Sequence, residues 1–221
     1  MFDMRLKTPF TMIISGPTQA GKTTKVLNLL SMKEAMMDRV VDHVVYYYKM
    51  WQPLFDHIDK RGLVNEWVNK LPTLEELQEK TEPYKNGNGT LIVIDDFLLE
   101  LTKDVATLFT TLSHANNASV IILVQNLFNR DQVLRNISLQ ARYLLVCRNP
   151  RDMSQVVHLG KQLAPGNVKF FVDSFRDASK KAYGYMLIDC HQETPDTLKF
   201  RTNIFPHEQP MKVYVPRTCP K

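Results

Sequence analysis

Residues 10–23 of the chain read FTMIISGPTQAGKT. The last eight of them, Gly16 to Thr23, match the pattern G-x-x-x-x-G-K-[ST] of a phosphate-binding P-loop. An apolar run precedes the motif and residues 24–37 have helical spacing, so the motif has the strand–loop–helix context that its chemistry requires. We therefore expect this stretch to begin a nucleotide-binding α/β domain.

The P-loop supplies the candidate cofactor-binding residues. Gly16 and Gly21 permit a backbone whose N–H groups face a phosphate, and the start of the following helix adds the positive end of its dipole. Lys22 can reach the β- and γ-phosphates, and the Thr23 hydroxyl can ligate Mg²⁺. The candidates are consecutive: Gly16, Pro17, Thr18, Gln19, Ala20, Gly21, Lys22, Thr23 and Thr24.

Short apolar runs recur along the chain and alternate with segments of helical spacing. Continuous runs bounded by polar turns are typical of strands in a parallel sheet that is covered on both faces. The runs are residues 11–14, 40–48, 90–94, 119–124 and 141–146, and the helical segments are 22–37, 98–115 and 151–163. The alternation predicts an α/β fold with a mainly parallel sheet and helices on both faces.

The last part of the chain differs in character. Residues 167–180 look helical and residues 183–189 look like a further strand, whereas the chain that follows is punctuated by proline. We expect residues 1–193 to form the P-loop core. Residues 194–221 are expected to be a C-terminal extension packed on it, ending in a frayed basic tail.

The composition is compatible with this organisation. The 221 residues, 44% of them hydrophobic, suit one α/β domain with a sizeable core. The formal charge of +5 fits a polyanionic partner without proving one. Three cysteines without a C-x-x-C pair make a disulfide framework or a zinc site a poor interpretation. The longest apolar runs are far too short to span a bilayer, so we expect no membrane partner.

The run at residues 90–94 leads directly into two carboxylates, Asp95 and Asp96, which is the Walker B pattern. At a strand end beside the P-loop, Asp95 can orient a Mg²⁺-bound water while Thr23 is the direct ligand, so we predict a metal site at these two residues. Asp96 can polarise the attacking water as a general base. The alternative is an acidic strand end that opens a helix, with Asp96 as N-cap.

Gln125 follows the run at residues 119–124, at a strand end where ligands bind in open α/β sheets. It could orient the lytic water or sense the γ-phosphate, and the alternative is an ordinary amide at a strand end. ATPases of this kind also need a cation to offset charge on the transferring phosphoryl group, often from a neighbouring subunit.

Five arginines after Gln125 are candidates for that cation, and spacing does not choose among them. They are Arg130, Arg135, Arg142, Arg148 and Arg151. We rank Arg135 first because it lies in a connection between the predicted elements and is the freest to reach outward. A solvated surface arginine is the alternative for each.

Taken together, these motifs resemble those of the FtsK/HerA-type genome-packaging ATPases of double-jelly-roll DNA viruses and of the related Polinton and adintovirus-like elements. The similarity runs from Ile13 to about Pro206. The P-loop is generic, but its combination with the acidic pair and further stretches is more specific. Those stretches are QNLF at 125–128, NPRD at 149–152, PGN at 165–167, YGY at 183–185 and RTNIFP at 201–206.

The resemblance implies a RecA-like additional-strand P-loop core that uses ATP and Mg²⁺. It implies a homo-oligomeric ring, a pentamer or hexamer, around double-stranded DNA. ATP hydrolysis between subunits would drive the DNA into a preformed viral capsid at its portal vertex. This happens at the virus assembly site in the host cytoplasm or nucleus, with virion association as a further expectation. Lys22, Thr23, Asp95, Asp96 and Gln125 match the family's functional residues, although many members of the wider superfamily carry Asp-Glu where this chain has Asp-Asp.

Two other functions remain open at this point. A small P-loop nucleotide kinase would not need the second carboxylate or the strand that ends in Gln125, and it should show an arginine-rich lid, for which the NPRD region is a thin substitute. A nucleotide-bound, non-motor assembly subunit with little turnover is the other alternative. The intact Lys22 and the paired acids argue against it, but weakly.

Overall fold

The structure, a computed structural model, describes residues 2–97, 103–107, 109, 111, 113–128 and 132–217. The strands within these residues are β1 (Thr11–Ser15), β2 (His43–Tyr48), β3 (Glu66–Val68), β4 (Thr90–Asp95), β5 (Ala118–Val124), β6 (Tyr143–Cys147), β7 (Tyr185–Asp189), β8 (Phe200–Thr202) and β9 (Lys212–Tyr214). The α-helices are α1 (Lys22–Ser31), α2 (Lys33–Met36), α3 (Pro53–Lys60), α4 (Leu74–Thr81), α5 (Lys103–Thr107), α6 (Ser113–Ala115), α7 (Gln132–Gln140), α8 (Ser154–Leu163) and α9 (Val168–Ala178).

In the described part of the chain the strands form one nine-stranded sheet, in the order β3-β2-β4-β5-β1-β6-β7-β8-β9. The first six strands of this order run parallel, and β7, β8 and β9 are antiparallel to their neighbours. Strand β5 lies between β1, which leads into the P-loop, and β4, which ends at Asp95. This order confirms the additional-strand arrangement and the mainly parallel sheet.

Helices cover both faces of the sheet because its central strands are apolar on both sides. In β1, Met12 and Ile14 join a core with Val26 and Leu29 of α1, whereas Ile13 points to the opposite core. That opposite core includes Phe171 of α9. Every residue of β1, β4, β5 and β6 is buried, as expected for strands that are covered on both faces.

The predicted elements are found with adjusted bounds. The helix expected over residues 22–37 is interrupted at Met32 and resumes as α2. The helix expected over 98–115 lies partly outside the described residues. The sequence does not predict strand β3, and residues 132–140 form α7 instead of the predicted connection, so that prediction is wrong.

The C-terminal segment continues the sheet instead of only lying on it. Strand β8 pairs antiparallel with β7 across the boundary expected at residues 193 and 194. The Arg201 side chain on β8 is 1% exposed and its Nη2 lies 2.5 Å from Oδ2 of Asp189 on β7.

Among the described residues, none of the helices is long and apolar enough to cross a bilayer.

Candidate nucleotide-binding site

A cavity of about 680 Å³ opens at the carboxyl edge of the parallel strands, next to the P-loop. This volume is in the range of small-molecule sites. It brings together residues from the P-loop, from the ends of β4 and β5, and from the C-terminal segment. Its lining is Thr18, Gln19, Gly21, Lys22, Thr23, Thr24, Lys25, Asn28, Gln52, Leu54, Asp95, Asp96, Gln125, Tyr183, His207 and Glu208.

Two glycines fix the path of the P-loop. At Gly16 a Cβ atom would lie 2.7 Å from Cβ of Cys147 on β6, so a side chain at this position would push the loop away from the sheet. Gly21 has a φ of 80°, a left-handed conformation that glycine adopts without steric cost, and α1 begins at the next residue. The loop therefore leads from β1 directly into the amino end of α1.

Six of the nine predicted P-loop residues line the cavity, and the other three support it. Ala20 N–H donates to the Pro17 carbonyl at 3.1 Å, which tightens the loop. The Lys22 ammonium donates to the carbonyls of Gly16 at 2.8 Å and of Pro17 at 3.1 Å. Burial lowers the Lys22 pKa, and the carboxylates of Asp95 and Asp96 oppose that change.

The Asp95 carboxylate is buried at the end of β4 and is held by two hydroxyls. Oδ2 of Asp95 accepts a hydrogen bond from the Tyr46 hydroxyl at 2.8 Å and one from the Thr23 hydroxyl at 3.3 Å. Burial raises the pKa of Asp95, while the Tyr46 hydrogen bond and the Lys22 charge lower it. A buried carboxylate beside a threonine hydroxyl and the cavity supplies the hard oxygen donors that Mg²⁺ prefers, so these residues fit that ion.

Asp96 and Gln125 meet across neighbouring strand ends. Gln125 Nε2 donates to Oδ1 of Asp96 at 3.4 Å, and both residues are exposed to the cavity. Asp96 has a φ of 66°, so the chain turns sharply at the end of β4, where the buried Asp95 is followed by an exposed carboxylate. The alternative role of Asp96 as the N-cap of a helix falls on residues 98–102, which lie outside the described residues.

The candidate arginines are distributed differently from the other predicted residues. Among the described residues that line the cavity, none is an arginine. Arg135 is exposed in the first turn of α7, and Arg148 and Arg151 are exposed beyond β6. Arg142 donates to the Pro9 carbonyl at 2.9 Å. Arg130 lies outside the described residues.

Several residues at the site were not predicted from the sequence as functional. Tyr46 belongs to a run of three tyrosines that resembles ordinary strand core, but its position beside β4 brings its hydroxyl to Asp95. Lys25 lines the cavity from α1, and His207 and Glu208 line it because the C-terminal segment folds back beside that helix. The signal that could have identified Lys25 is a lysine one helical turn after Lys22 in an otherwise apolar helix face.

The fold is similar to that of the genome packaging NTPase B204 from Sulfolobus turreted icosahedral virus 2. In the complexes of B204 with ATP-gammaS and with AMPPCP, the identities are 11% and 12% and the TM-score is 0.54 in both. The matches cover 95% of this chain and 98% and 99% of B204. The cytoplasmic domain of EssC is 14% identical with a TM-score of 0.50, over 68% of this chain and 33% of that chain.

These similarities, with the strand order, show a RecA-like additional-strand P-loop fold. No protein-family model matches the chain, and no curated protein matches it.

Proposed function

We propose that the chain is an ATPase that works as a DNA-translocating motor and packages viral double-stranded DNA into a capsid. The observation that carries this proposal is the convergence of Lys22, Thr23, Asp95, Asp96 and Gln125 on one cavity. These residues come from three separate strand ends, and together they make up the set of groups that P-loop ATPases use for binding and hydrolysis.

Each group has a defined task in the proposed reaction. The P-loop backbone and Lys22 bind the phosphates, and Thr23 would hold Mg²⁺ directly while Asp95 would orient a water bound to it. When bound, the metal ion offsets negative charge on the phosphoryl group. Asp96 accepts a proton from the attacking water, and Gln125, which already contacts Asp96, orients that water.

The packaging role is supported by one further observation. B204, a genome packaging NTPase, matches this chain over nearly its whole length. ATPases of this kind often take the cation that offsets charge on the phosphoryl group from a neighbouring subunit, so the proposal includes a homo-oligomeric ring. We place Arg135 first as that cation because it is exposed at the start of α7.

The test of this function is steady-state ATP hydrolysis by the purified chain, with and without long double-stranded DNA, at two salt concentrations. We expect turnover that rises when DNA is added and loses this stimulation at the higher salt, because contacts with the phosphate backbone release counterions. Turnover that ignores DNA at both salts, or that requires a nucleotide as phosphoryl acceptor, would contradict the motor and favour a kinase.

A further inference from the structure

The cavity has a second end that the predicted catalytic residues do not occupy. Asp95, Asp96 and Gln125 follow β4 and β5, which lie on one side of β1 in the sheet. Tyr183 precedes β7 and His207 follows β8, and these strands lie on the other side of β1. The P-loop therefore stands between the two ends, and a nucleotide with its γ-phosphate near Asp96 would extend its ribose and base towards Tyr183 and His207.

Tyr183 is held at this end by a tight turn. Gly184 N–H donates to the Lys181 carbonyl at 3.0 Å, and Arg148 N–H donates to the Gly184 carbonyl at 2.9 Å. Tyr183 has a φ of 57°, which is uncommon for a bulky residue, and it is 64% exposed. Its Cδ1 atom is 3.4 Å from where a Cβ of Gly21 would lie, so the ring stands beside the P-loop with most of its surface uncovered.

His207 is a second flat ring at the same end of the cavity. It lies on a short 3₁₀ helix, Pro206–Glu208, and its ring is stacked on Phe205 with 5.8 Å between centroids and 13° between planes. A neighbouring cavity of about 380 Å³ is also lined by Tyr183 and His207, together with Lys25 and Glu208. The two cavities therefore share a wall of two exposed rings, and this end offers room for more than phosphates.

The carboxylate at this end is already engaged. Glu208 Oε2 accepts a hydrogen bond from the Tyr185 hydroxyl, and Oε1 lies 3.8 Å from the Lys25 ammonium. The Lys25 ammonium also lies 4.4 Å from the centre of the Tyr185 ring. Two amides that also line the neighbouring cavity make hydrogen bonds within the chain: Asn203 Nδ2 donates to the Pro210 carbonyl, and Gln209 Oε1 accepts from the Met211 N–H. The two exposed ring faces are thus the main contacts that this end offers to a base, with the exposed Lys181 beside them.

We propose that Tyr183 and His207 hold the base of the bound nucleotide by stacking, and that the site accepts adenine and guanine with similar affinity. Every base has a π-face, so stacking is tolerant of base identity. This inference rests on the proposed function, because it requires a nucleoside triphosphate on the P-loop. It adds to that function the residues that bind the base and the nucleotide selectivity that follows from them.

The test is calorimetric titration of the full chain with ATP, GTP and inorganic tripolyphosphate, each with Mg²⁺. The informative variant is Tyr183→Asn, because asparagine tolerates the left-handed conformation and removes only the ring. We expect its affinity for ATP and for GTP to fall by about tenfold, the order of one base–aromatic stack, while its affinity for tripolyphosphate is unchanged. Tyr183→Phe should bind all three as the wild type does, and His207→Ala should show the pattern of Tyr183→Asn.

Two controls separate this inference from the proposed function. Leu139→Ala, on the exposed side of α7, removes an apolar side chain at the same 64% exposure and should change no affinity. Lys22→Ala should weaken binding of all three ligands. If it does not, or if the wild type binds none of them, the P-loop assignment fails and the base site fails with it.

The base site alone is overturned by any of four results. Two of them concern the wild type: that it binds tripolyphosphate as tightly as ATP, or that it prefers one purine nucleotide by a hundredfold or more. The other two concern Tyr183→Asn: that it binds ATP as the wild type does, or that it loses as much affinity for tripolyphosphate as for ATP. Unchanged ATP affinity of Tyr183→Asn, together with weaker binding of double-stranded DNA by the same variant, would assign Tyr183 to a nucleic-acid contact.

Discussion

The Tyr46 hydroxyl donates a 2.8 Å hydrogen bond to the Asp95 carboxylate, and both side chains are buried beside the P-loop. Strand β2 thus acts on the site even though none of its residues lines the cavity. The hydrogen bond favours the ionised form of Asp95, which burial alone would disfavour. We infer that Tyr46 positions Asp95, the carboxylate that we predict to orient a Mg²⁺-bound water.

Tyr46→Phe should raise the Mg²⁺ concentration that ATP hydrolysis requires, and more so at acidic pH. Without the hydroxyl, the pKa of Asp95 rises further, so less of it is ionised at acidic pH, and a protonated carboxyl is a poor partner for Mg²⁺. We expect the half-saturating Mg²⁺ concentration for ATP hydrolysis to rise up to about tenfold at pH 6 and less at pH 8.

Tyr47→Phe is the matched control for this effect, because Tyr47 is equally buried but belongs to the core on the opposite face of the sheet. Equal Mg²⁺ dependence of Tyr46→Phe and the wild type at both pH values would mean that the hydrogen bond has no role at the metal site.

Asp96→Asn should leave ATP binding intact and stop turnover. Asparagine keeps the shape of the side chain and tolerates the φ of 66°, but it is no longer a base. We expect kcat to fall by at least about 100-fold while the dissociation constant for ATP changes less than about threefold. Turnover at the wild-type rate in this variant would assign the base to another residue.

Arg135→Ala tests the cation that a neighbouring subunit would supply. Because Arg135 is exposed on α7, we expect the variant to fold and bind ATP but to hydrolyse it slowly. Mixing it with Asp96→Asn subunits should restore turnover, since a wild-type Asp96 then meets a wild-type Arg135 at some interfaces. Arg61→Ala is the control, because it removes an exposed arginine that is not among the five candidates. Absence of recovery at every mixing ratio would exclude Arg135 from this role.

The buried pair of Arg201 and Asp189 should hold the C-terminal segment on the core. Removing one partner leaves an unpaired buried charge, which costs about 3–5 kcal/mol, so Arg201→Ala should lower the free energy of unfolding by that amount in urea. Lys212→Ala breaks an ion pair with Asp177 in which both side chains are about half exposed, and it should cost less than about 1 kcal/mol. Equal losses in both variants would show that the buried pair has no special role.

The central sheet could be predicted because its strands carry their own signal. Strands β1, β4 and β5 are continuous apolar runs, and the polar residues that follow them, Asp95, Asp96 and Gln125, mark the carboxyl edge where the site forms. Strand β3 gave no such signal, because its three residues are only half-buried at the edge of the sheet. Short edge strands have little apolar pattern to detect.

The other end of the site could not be predicted, because it depends on contacts between distant parts of the chain. Glu208 reaches Lys25 only after β7 and β8 have added antiparallel strands beside β6. Lys25 follows the P-loop directly, but no residue beside Glu208 in the sequence indicates a ligand site. Helix α7 is a separate case: Leu134 and Ile137 are buried at helical spacing, but two apolar residues are too short a pattern to predict a helix.

The most direct measurement of the central claim is displacement of a triplex-forming oligonucleotide from double-stranded DNA by the purified chain. An enzyme that moves along the duplex must remove the third strand in its path, and one that hydrolyses ATP in place leaves it bound. We predict displacement that requires ATP and is abolished in Asp96→Asn. Full ATP hydrolysis in the presence of DNA, with the third strand still in place, would contradict the proposed motor.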